Sequence, residues 1–326
     1  MRVAIVGCGR IAHELESDAL RYKPCTHLGA LKNLQRRDRS LQVIGFCDAA
    51  PERAVSAAGF MRADGARVTT DYKEILDLEP ELLIIAASTA IHHKILLAAI
   101  AAGVNRIVAE KPLVTTKAEV SQLRRAIQSS KSVILPNYER RYHDKYIALQ
   151  RLIQNERRSP AYRAFFAAGG SSLYADKKSS DEGVLLHDTT HLVDLAQFLF
   201  GTVTAHRVIA GERRHLLYLK HKNGSEGIVE TSLGVGAFHL ELQVMRQNER
   251  ITVGNGFTQR EKIVASPHYR RLRGYAPARR TNDKPMTVAI NPFMRLYREA
   301  LYGKPDNGHF FDALANVEML YARRSR

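Results

Sequence analysis

Cysteine is scarce in this chain. There are three, Cys8, Cys25 and Cys47, an odd number with no C-x-x-C spacing. That argues against a disulfide framework and against a cysteine-rich zinc site. A membrane span is lacking too: the longest apolar region, 82–104, is broken by "HHK" at 92–94. The opening "MRVAIVGCG" is too short for a signal peptide and reads as a strand entering a glycine turn. Free thiols and no export signal make the cytoplasm the expected compartment. No internal repeat and no low-complexity tract occurs. Acidic residues are the minority, with 33 Asp and Glu against 49 Lys and Arg, a formal charge of +16. Such a surplus suits an anionic small molecule or nucleic acid. The densest basic stretch, "YRRLRGYAPARR" (269–280), holds Gly, Pro and two tyrosines and reads as a loop, not a recognition helix. No nucleic-acid-binding motif accompanies it, so a nucleic-acid partner is not expected.

What is present fits a globular protein of one large or two medium domains: 326 residues, 45% hydrophobic and 25% charged. The first third alternates short apolar runs with helical patterns. "RVAIVG" (2–7), "LQVIGFCD" (41–48), "ELLIIAAS" (81–88), "NRIVAE" (105–110) and "SVILP" (132–136) read as buried strands. "HHKILLAAIAAG" (92–103) is a helix ending at Gly103, and Thr116 to Glu119 has the form of a capping box. This rhythm implies a doubly wound parallel sheet. From about 160 the pattern changes to strand-like runs, several in alternation, with a hairpin signal at Asn223-Gly224. The expected fold is therefore α/β: a Rossmann domain over 1–137, then an α+β domain over 138–326. The second domain carries a large, mostly antiparallel open sheet and a closing helix at roughly 308–324.

"GCGRIA" sets Gly7, Gly9 and Ala12 in the G-x-G-x-x-G/A pattern between a strand and an expected helix. Gly7 permits the tight turn, Gly9 lets a pyrophosphate approach the backbone, and the small Ala12 allows close helix–strand packing. The helix N-terminus then offers free N–H groups to the phosphates. Asp48 ends the second strand and can accept hydrogen bonds from the ribose hydroxyls. This favours NAD over NADP, whose 2′-phosphate would meet the Asp48 charge. Asp48 stands about 40 residues past the glycines, where about 20 is usual. "ESDALRYKPC" (16–25) accounts for the excess as an insertion.

"AEKPLVTT" (109–116), coming after that glycine turn, resembles the Gfo/Idh/MocA oxidoreductases. The likeness extends to "HHKILLAAIAAG", "NYERRY" (137–142) and "GVLLHDTTHLVDL" (183–195). It implies an NAD(P)-dependent dehydrogenase acting on a sugar or cyclitol. Lys111 matches the catalytic lysine, His191 the acid/base histidine, His92 a histidine near the nicotinamide, and Arg141 an arginine at the cofactor end. The family pattern also suggests a cis bond before Pro112. Arg10, Ile11, Ser88 and Glu110 complete the expected cofactor set. The chemistry suits these types: a histidine moves a proton near neutral pH, and an ammonium stabilises a developing alkoxide. The resemblance further implies a homodimer or homotetramer through the second-domain sheet.

"HDTTH" (187–191) departs from the family's D-x-x-x-H, because His187 occupies the acid's place and the acid is Asp188. Steps of three and four residues keep both on the His191 face of a helix. Asp188 then orients His191 or caps the helix, and His187 lines the pocket or shares proton transfer. A zinc site of the H-E-x-x-H kind is disfavoured, since Asp is shorter than Glu and no motif places a third ligand. No metal is expected. The basic charge and "RRLRGYAPARR" (270–280) favour a phosphorylated or nucleotide-linked sugar among the carbohydrate substrates, or are a solvated surface alone; "FFAAGGSSLYADKKSSDEG" (165–183) is expected to supply substrate contacts, its Ser, Tyr and Lys binding hydroxyls or phosphate. The alternative is a catalytically inactive NAD(P)-binding regulator or partner protein of the same fold.

Overall fold

The computed structural model describes residues 1–168, 188–211, 214–233, 236–276 and 279–321. They divide into two compact units, Met1–His143 with Met286–Tyr321, and Asp144–Pro285.

In the first unit, strands β1 (Arg2–Val6), β2 (Gln42–Cys47), β3 (Arg67–Thr69), β4 (Leu82–Ile85), β5 (Arg106–Ala109) and β6 (Val133–Pro136) form one sheet. Its order is β3-β2-β1-β4-β5-β6, with every neighbouring pair parallel. Leu82 to Ile85 are all buried, as a strand covered on both faces must be. The helices between are α1 (His27–Gln35), α2 (Pro51–Met61), α3 (Tyr72–Leu76), α4 (Thr89–Ala101) and α5 (Lys117–Gln128). The capping box at Thr116 and Glu119 is formed. Strand order reverses between β1 and β4, which opens a crevice at the carboxyl ends of the strands.

One feature of this unit differs from the expectation. No α-helix follows the glycines directly. The chain makes one turn, with Ala12 and His13 N–H donating to Gly9 O. It then departs through a 3-10 turn at Glu14–Ser17 and returns at α1. His27 N–H donates to Ile11 O at 3.2 Å and Leu28 N–H to Ala12 O at 2.9 Å. These are the bonds an unbroken helix would make, so the insertion is spliced into a helix whose register survives it. Glu16 closes the excursion. Its Oε1 accepts from Cys25 N (2.7 Å), Thr26 N (3.1 Å) and Thr26 Oγ1 (3.0 Å).

The second unit contains α6 (Asp144–Gln154), β7 (Ala161–Ala168), α7 (Thr190–Phe200), β8 (Val203–Ala210), β9 (Arg214–His221) and β10 (Glu226–Leu233). Next come β11 (His239–Met245), β12 (Glu249–Gly254), β13 (Phe257–Ala265), β14 (Arg273–Tyr275) and β15 (Arg279–Asn282). The sheet order is β14-β13-β12-β11-β7-β10-β9-β8, with β15 also on β13. Among the described residues of this sheet only β7 and β10 pair in parallel; the expected hairpin at Asn223-Gly224 joins β9 to β10. The 269–280 stretch is not wholly a loop: Arg273 to Tyr275 and Arg279 onward pair with β13. Arg250 lies over the Tyr275 ring at 4.2 Å and Arg280 over Phe257 at 3.9 Å, contacts that favour an ordered edge.

Alternation gives this sheet two different faces. Tyr162, Leu217, Leu219, Leu242 and Val244 are buried, and Tyr162 stacks on Phe200 of α7 at 4.1 Å. The other face carries Arg163, Phe165, Tyr218, Ile228 and Glu230, with ion pairs Arg163–Glu230 (3.2 Å) and Lys220–Glu226 (3.1 Å). A cavity of about 380 Å³ opens there, lined by Arg163, Phe165, Arg214, Glu230, Glu241 and Gln243.

The chain then returns to the first unit, where the division at 137/138 would have left it in the second. Helices α8 (Pro292–Tyr302) and α9 (Gly308–Tyr321) both pack there. Phe293, Leu296, Tyr297 and Leu301 of α8 share a core with Val3, Ile5, Leu28, Leu31 and Val108.

Glu16→Ala removes one acceptor from three donors and leaves two backbone N–H groups without it. It is expected to destabilise the protein by about 1–3 kcal/mol, read as a lower midpoint in thermal unfolding. An unchanged midpoint would show that the excursion needs no such anchor.

Candidate active site

The site begins where β1 ends. Gly7 has φ +94°, and a Cβ there would meet Ala86 C and Ala87 N at 2.2 Å. The β1 and β4 exits therefore touch backbone to backbone, and only glycine fits. Gly9 is different: a Cβ there would meet nothing nearer than Arg53 Nη1 at 3.8 Å. No protein atom demands a glycine at 9, which fits a backbone kept bare for a ligand to approach. Arg10 is exposed in the turn, Ile11 is half-buried, and Ala12 is buried with its carbonyl on Leu28. Asp48 binds this turn directly. Its Oδ2 accepts from Cys8 N at 2.7 Å and its Oδ1 from Ala50 N at 3.0 Å. A carboxylate has further lone pairs, so Asp48 can hold the glycine turn and still accept from ribose hydroxyls. Ser88 is exposed at the start of α4, and its hydroxyl makes no capping bond. These residues fit a dinucleotide.

At the end of β5 stand Glu110, Lys111 and Pro112, and the Lys111–Pro112 bond is cis, as the family pattern suggests. Glu110 is locked. Its Oε1 accepts from His27 Nε2 at 2.9 Å and from Asn137 Nδ2 at 2.6 Å. His27 Nδ1 lies 2.7 Å from the Tyr297 hydroxyl. Burial pushes the Glu110 carboxyl up, but the bonds from His27 and Asn137 and the charges of His27 and Lys111 outweigh it. The carboxyl is held below its ordinary value. Burial, then the Glu110 charge, raise the Tyr297 hydroxyl well above its usual range, so it stays protonated. Lys111 itself is half-buried.

His92 is 1% exposed. Its Nδ1 lies 2.9 Å from Pro112 O and its Nε2 2.9 Å from Ala87 O. Both partners are carbonyl oxygens, which only accept, so the ring lies between two acceptors and donates to whichever faces its N–H. What His92 contributes is the position of the turn after Lys111 against the turn after β4. Arg141 lies in a 3-10 turn at Glu139–Tyr142 and its Nη2 donates to Asp312 Oδ2 of α9 at 2.9 Å.

In the second unit, α7 presents Asp188 and His191. The capping reading of Asp188 fails. Residues 188 and 189 already form a π-helical turn, and Thr189 at the helix start has φ −65°, ψ −31°, with no side-chain cap. Thr189 Oγ1 instead donates to Thr231 Oγ1 at 3.0 Å. Asp188 is buried at 3% exposure, one turn before half-buried His191. Gly201 ends the helix with φ +85°. His187 lies outside the described residues, as does 169–187 as a whole. Among the described residues, no three His, Cys, Asp or Glu side chains gather into a metal-binding cluster.

Sequence reasoning missed the partners of Glu110. Asn137 directly follows β6, but nothing in its neighbours marks it. His27 and Tyr297 are paired across 270 positions, and no local pattern reports that. Asp194, 1% exposed on α7 one turn beyond His191, was also missed.

Comparison with known proteins agrees with the cofactor geometry. The family model described as "Oxidoreductase family, NAD-binding Rossmann fold" matches residues 1–138. No curated protein matches the chain. Solved structures match nearly all of it. The UDP-N-acetylglucosamine 3-dehydrogenase GnnA from Acidithiobacillus ferrooxidans is 18% identical, with TM-score 0.71 over 98% of this chain and 95% of that one. GenD2 from gentamicin A biosynthesis, in complex with NAD, is 19% identical, with TM-score 0.71 over 99% and 92%. A Gfo/Idh/MocA family oxidoreductase from Vibrio cholerae is 16% identical, with TM-score 0.74 over 99% and 96%. At these identities the likeness establishes a shared fold.

Glu110 contributes stability that is complete above the ordinary carboxylate value and is lost as pH falls through its lower folded one. Glu110→Gln is therefore expected to be less stable than the parent at pH 7, with the gap narrowing below about pH 4. Urea unfolding at both pH values measures this. A gap that does not narrow would mean that the carboxylate charge is not what holds the lock.

Proposed function

Because residues 1–138 are an NAD-binding Rossmann domain of the oxidoreductase family, we propose that the chain is an NAD-dependent dehydrogenase. It interconverts a ring CH–OH and a ketone of a sugar, cyclitol or activated sugar. The observation that carries this reading is the locked Glu110-Lys111-Pro112 turn beside the β1/β4 crevice. So fixed a backbone on either side of a half-buried lysine supports a role for Lys111 in chemistry beside a cofactor.

Gly7, Gly9 and the turn to Ala12 would hold the pyrophosphate, with Asp48 on the adenosine ribose. When bound, the nicotinamide supplies the hydride acceptor. The Lys111 ammonium holds the carbinol oxygen and stabilises the negative charge that grows on it. His191 accepts the hydroxyl proton and returns it in the reverse direction. Asp188 favours the protonated His191 imidazole. Two similar proteins lend the substrate class support: GnnA is a UDP-N-acetylglucosamine dehydrogenase, and GenD2 belongs to the biosynthesis of gentamicin A. The net charge of +16 favours a phosphorylated or nucleotide-linked member of that class. No helix among the described residues is long and apolar enough to cross a membrane, and we place the enzyme in the cytoplasm. The face of the second-unit sheet opposite α7, with Tyr218 and Ile228 exposed, is the surface on which two copies would pair.

An absorbance assay at the NADH band, run over free sugars, cyclitols, sugar phosphates and nucleotide sugars, tests the reading. Turnover is expected with NAD from one of these classes. His191→Ala and Lys111→Ala should each lower kcat by about 10²–10⁴-fold while NADH binding persists. Full turnover by Lys111→Ala would overturn the mechanism. Tight NADH binding with no turnover of any class would favour the inactive regulator. On the same protein, Ile228→Glu with Tyr218→Glu should convert an oligomer to monomer in size-exclusion chromatography.

A further inference from the structure

The second unit holds two buried histidines on one strand, and they are not alike. His215 and His221 both lie on β9, on the buried side of its alternation. His221 is fully partnered: Nδ1 meets Gly201 O at 2.6 Å and Nε2 meets the Tyr162 hydroxyl at 2.8 Å. It is a satisfied core histidine. His215 is 7% exposed, and its Nδ1 is buried with no hydrogen-bond partner among the described residues. A buried ring nitrogen without a partner is unfavourable unless something else completes it.

Position says what that is. In the β9–β10 pairing His215 stands directly across from Thr231. Thr231 accepts the hydrogen bond from Thr189, which lies between Asp188 and His191. Cross-strand neighbours have Cβ atoms about 5 Å apart. His215 therefore belongs to the same end of the sheet as the start of α7, one side chain removed from the helix turn that carries the proposed acid–base pair. His221, at the far end of the same strand, touches the other end of α7 through Gly201.

We propose that His215 is a substrate-binding residue, whose imidazole hydrogen-bonds a ring hydroxyl other than the one being oxidised. This rests on the reading of the chain as a dehydrogenase of ring alcohols. Burial lowers the proton affinity of the ring, so it is neutral at neutral pH and presents one N–H and one lone pair. A hydroxyl also donates one and accepts, and so complements it in either tautomer. A phosphate would need a cation instead. His215 thus selects for a neutral hydroxylated face of the substrate, whatever charge the rest of the molecule carries. It takes no part in proton transfer, which separates it from His191.

The test uses the full-length protein with His215→Ala and His215→Gln. Against a substrate found in the panel, His215→Ala is expected to raise KM about tenfold, with kcat within about twofold. NADH affinity and the melting temperature should stay at parent values. His215→Gln, which keeps a donor and an acceptor, should recover part of the loss. An unchanged KM, or a fall in kcat at constant KM, overturns the proposal. So does a lowered melting temperature in both variants, which would make His215 a packing residue. If no compound is turned over, the dehydrogenase reading is in question, and the imidazole of His215 is followed directly. In ¹⁵N-histidine NMR with NADH present, its signals are identified by their absence in His215→Gln. Glucose, myo-inositol and UDP-N-acetylglucosamine are then added in turn. A saturable shift with any of them supports the proposal, and no shift with all three overturns it.

Discussion

One carboxylate ties together separate segments of the first unit. Glu110 sits at a strand exit, yet its oxygen meets the first turn of α1 through His27 and the end of β6 through Asn137. Through His27 it also meets α8 at Tyr297. A carboxylate so placed is stable only if donors surround it, because burial by itself disfavours the charge. Two segments donate to Glu110 and a third, α8, reaches it through His27, so the arrangement forms only when all three are in place. Lys111 is the next residue, and its backbone is fixed from one side by this network. His92 grips the carbonyl of Pro112 from the other. The backbone at Lys111 is therefore held from both sides.

The glycine turn shows two constraints of different origin. Gly7 is required by the protein, since the β4 exit leaves no room for a Cβ. Gly9 is required by nothing in the chain, and its need becomes intelligible only with a ligand present. Asp48 links the two by bonding the amide of Cys8 between them. The acid that would recognise a ribose is thus also part of the scaffold, so its loss would disturb both functions together.

Much of this was legible before the fold was known. Five of the six parallel strands of the first unit announced themselves as short apolar runs, while β3, three residues with none buried, did not; the alternation of "HLLYLKHK" marked a strand. Lys111 and His191 were singled out because local motifs surround them, and they stand as the proposed catalytic pair. What stayed hidden was non-local. The splice of α1 was invisible because residues 13–26 carry no helical or strand period, while the bonds that preserve the register join positions far apart in sequence. The return of α8 to the first unit was hidden for the same reason: an amphipathic helix shows that it has a partner, not which sheet provides it. Asp188 looked like a helix cap because Asp is a good one. The helical conformation of Thr189 shows that the turn had already begun, which no side chain at 188 to 191 discloses.

The homeward path of the chain has a consequence for its birth. A ribosome delivers β1 to β6 first, the second unit next, and α8 and α9 last. Until Phe293, Leu296 and Tyr297 emerge, Val3, Ile5 and Leu31 lack part of their apolar cover, and His27 lacks the phenol beside it. The nascent Rossmann sheet must therefore wait, incomplete, while everything encoded between positions 144 and 285 is synthesised and folds. A truncated product ending before Pro292 would keep the glycine turn, Asp48 and Glu110 and still leave the centre of that sheet partly bare.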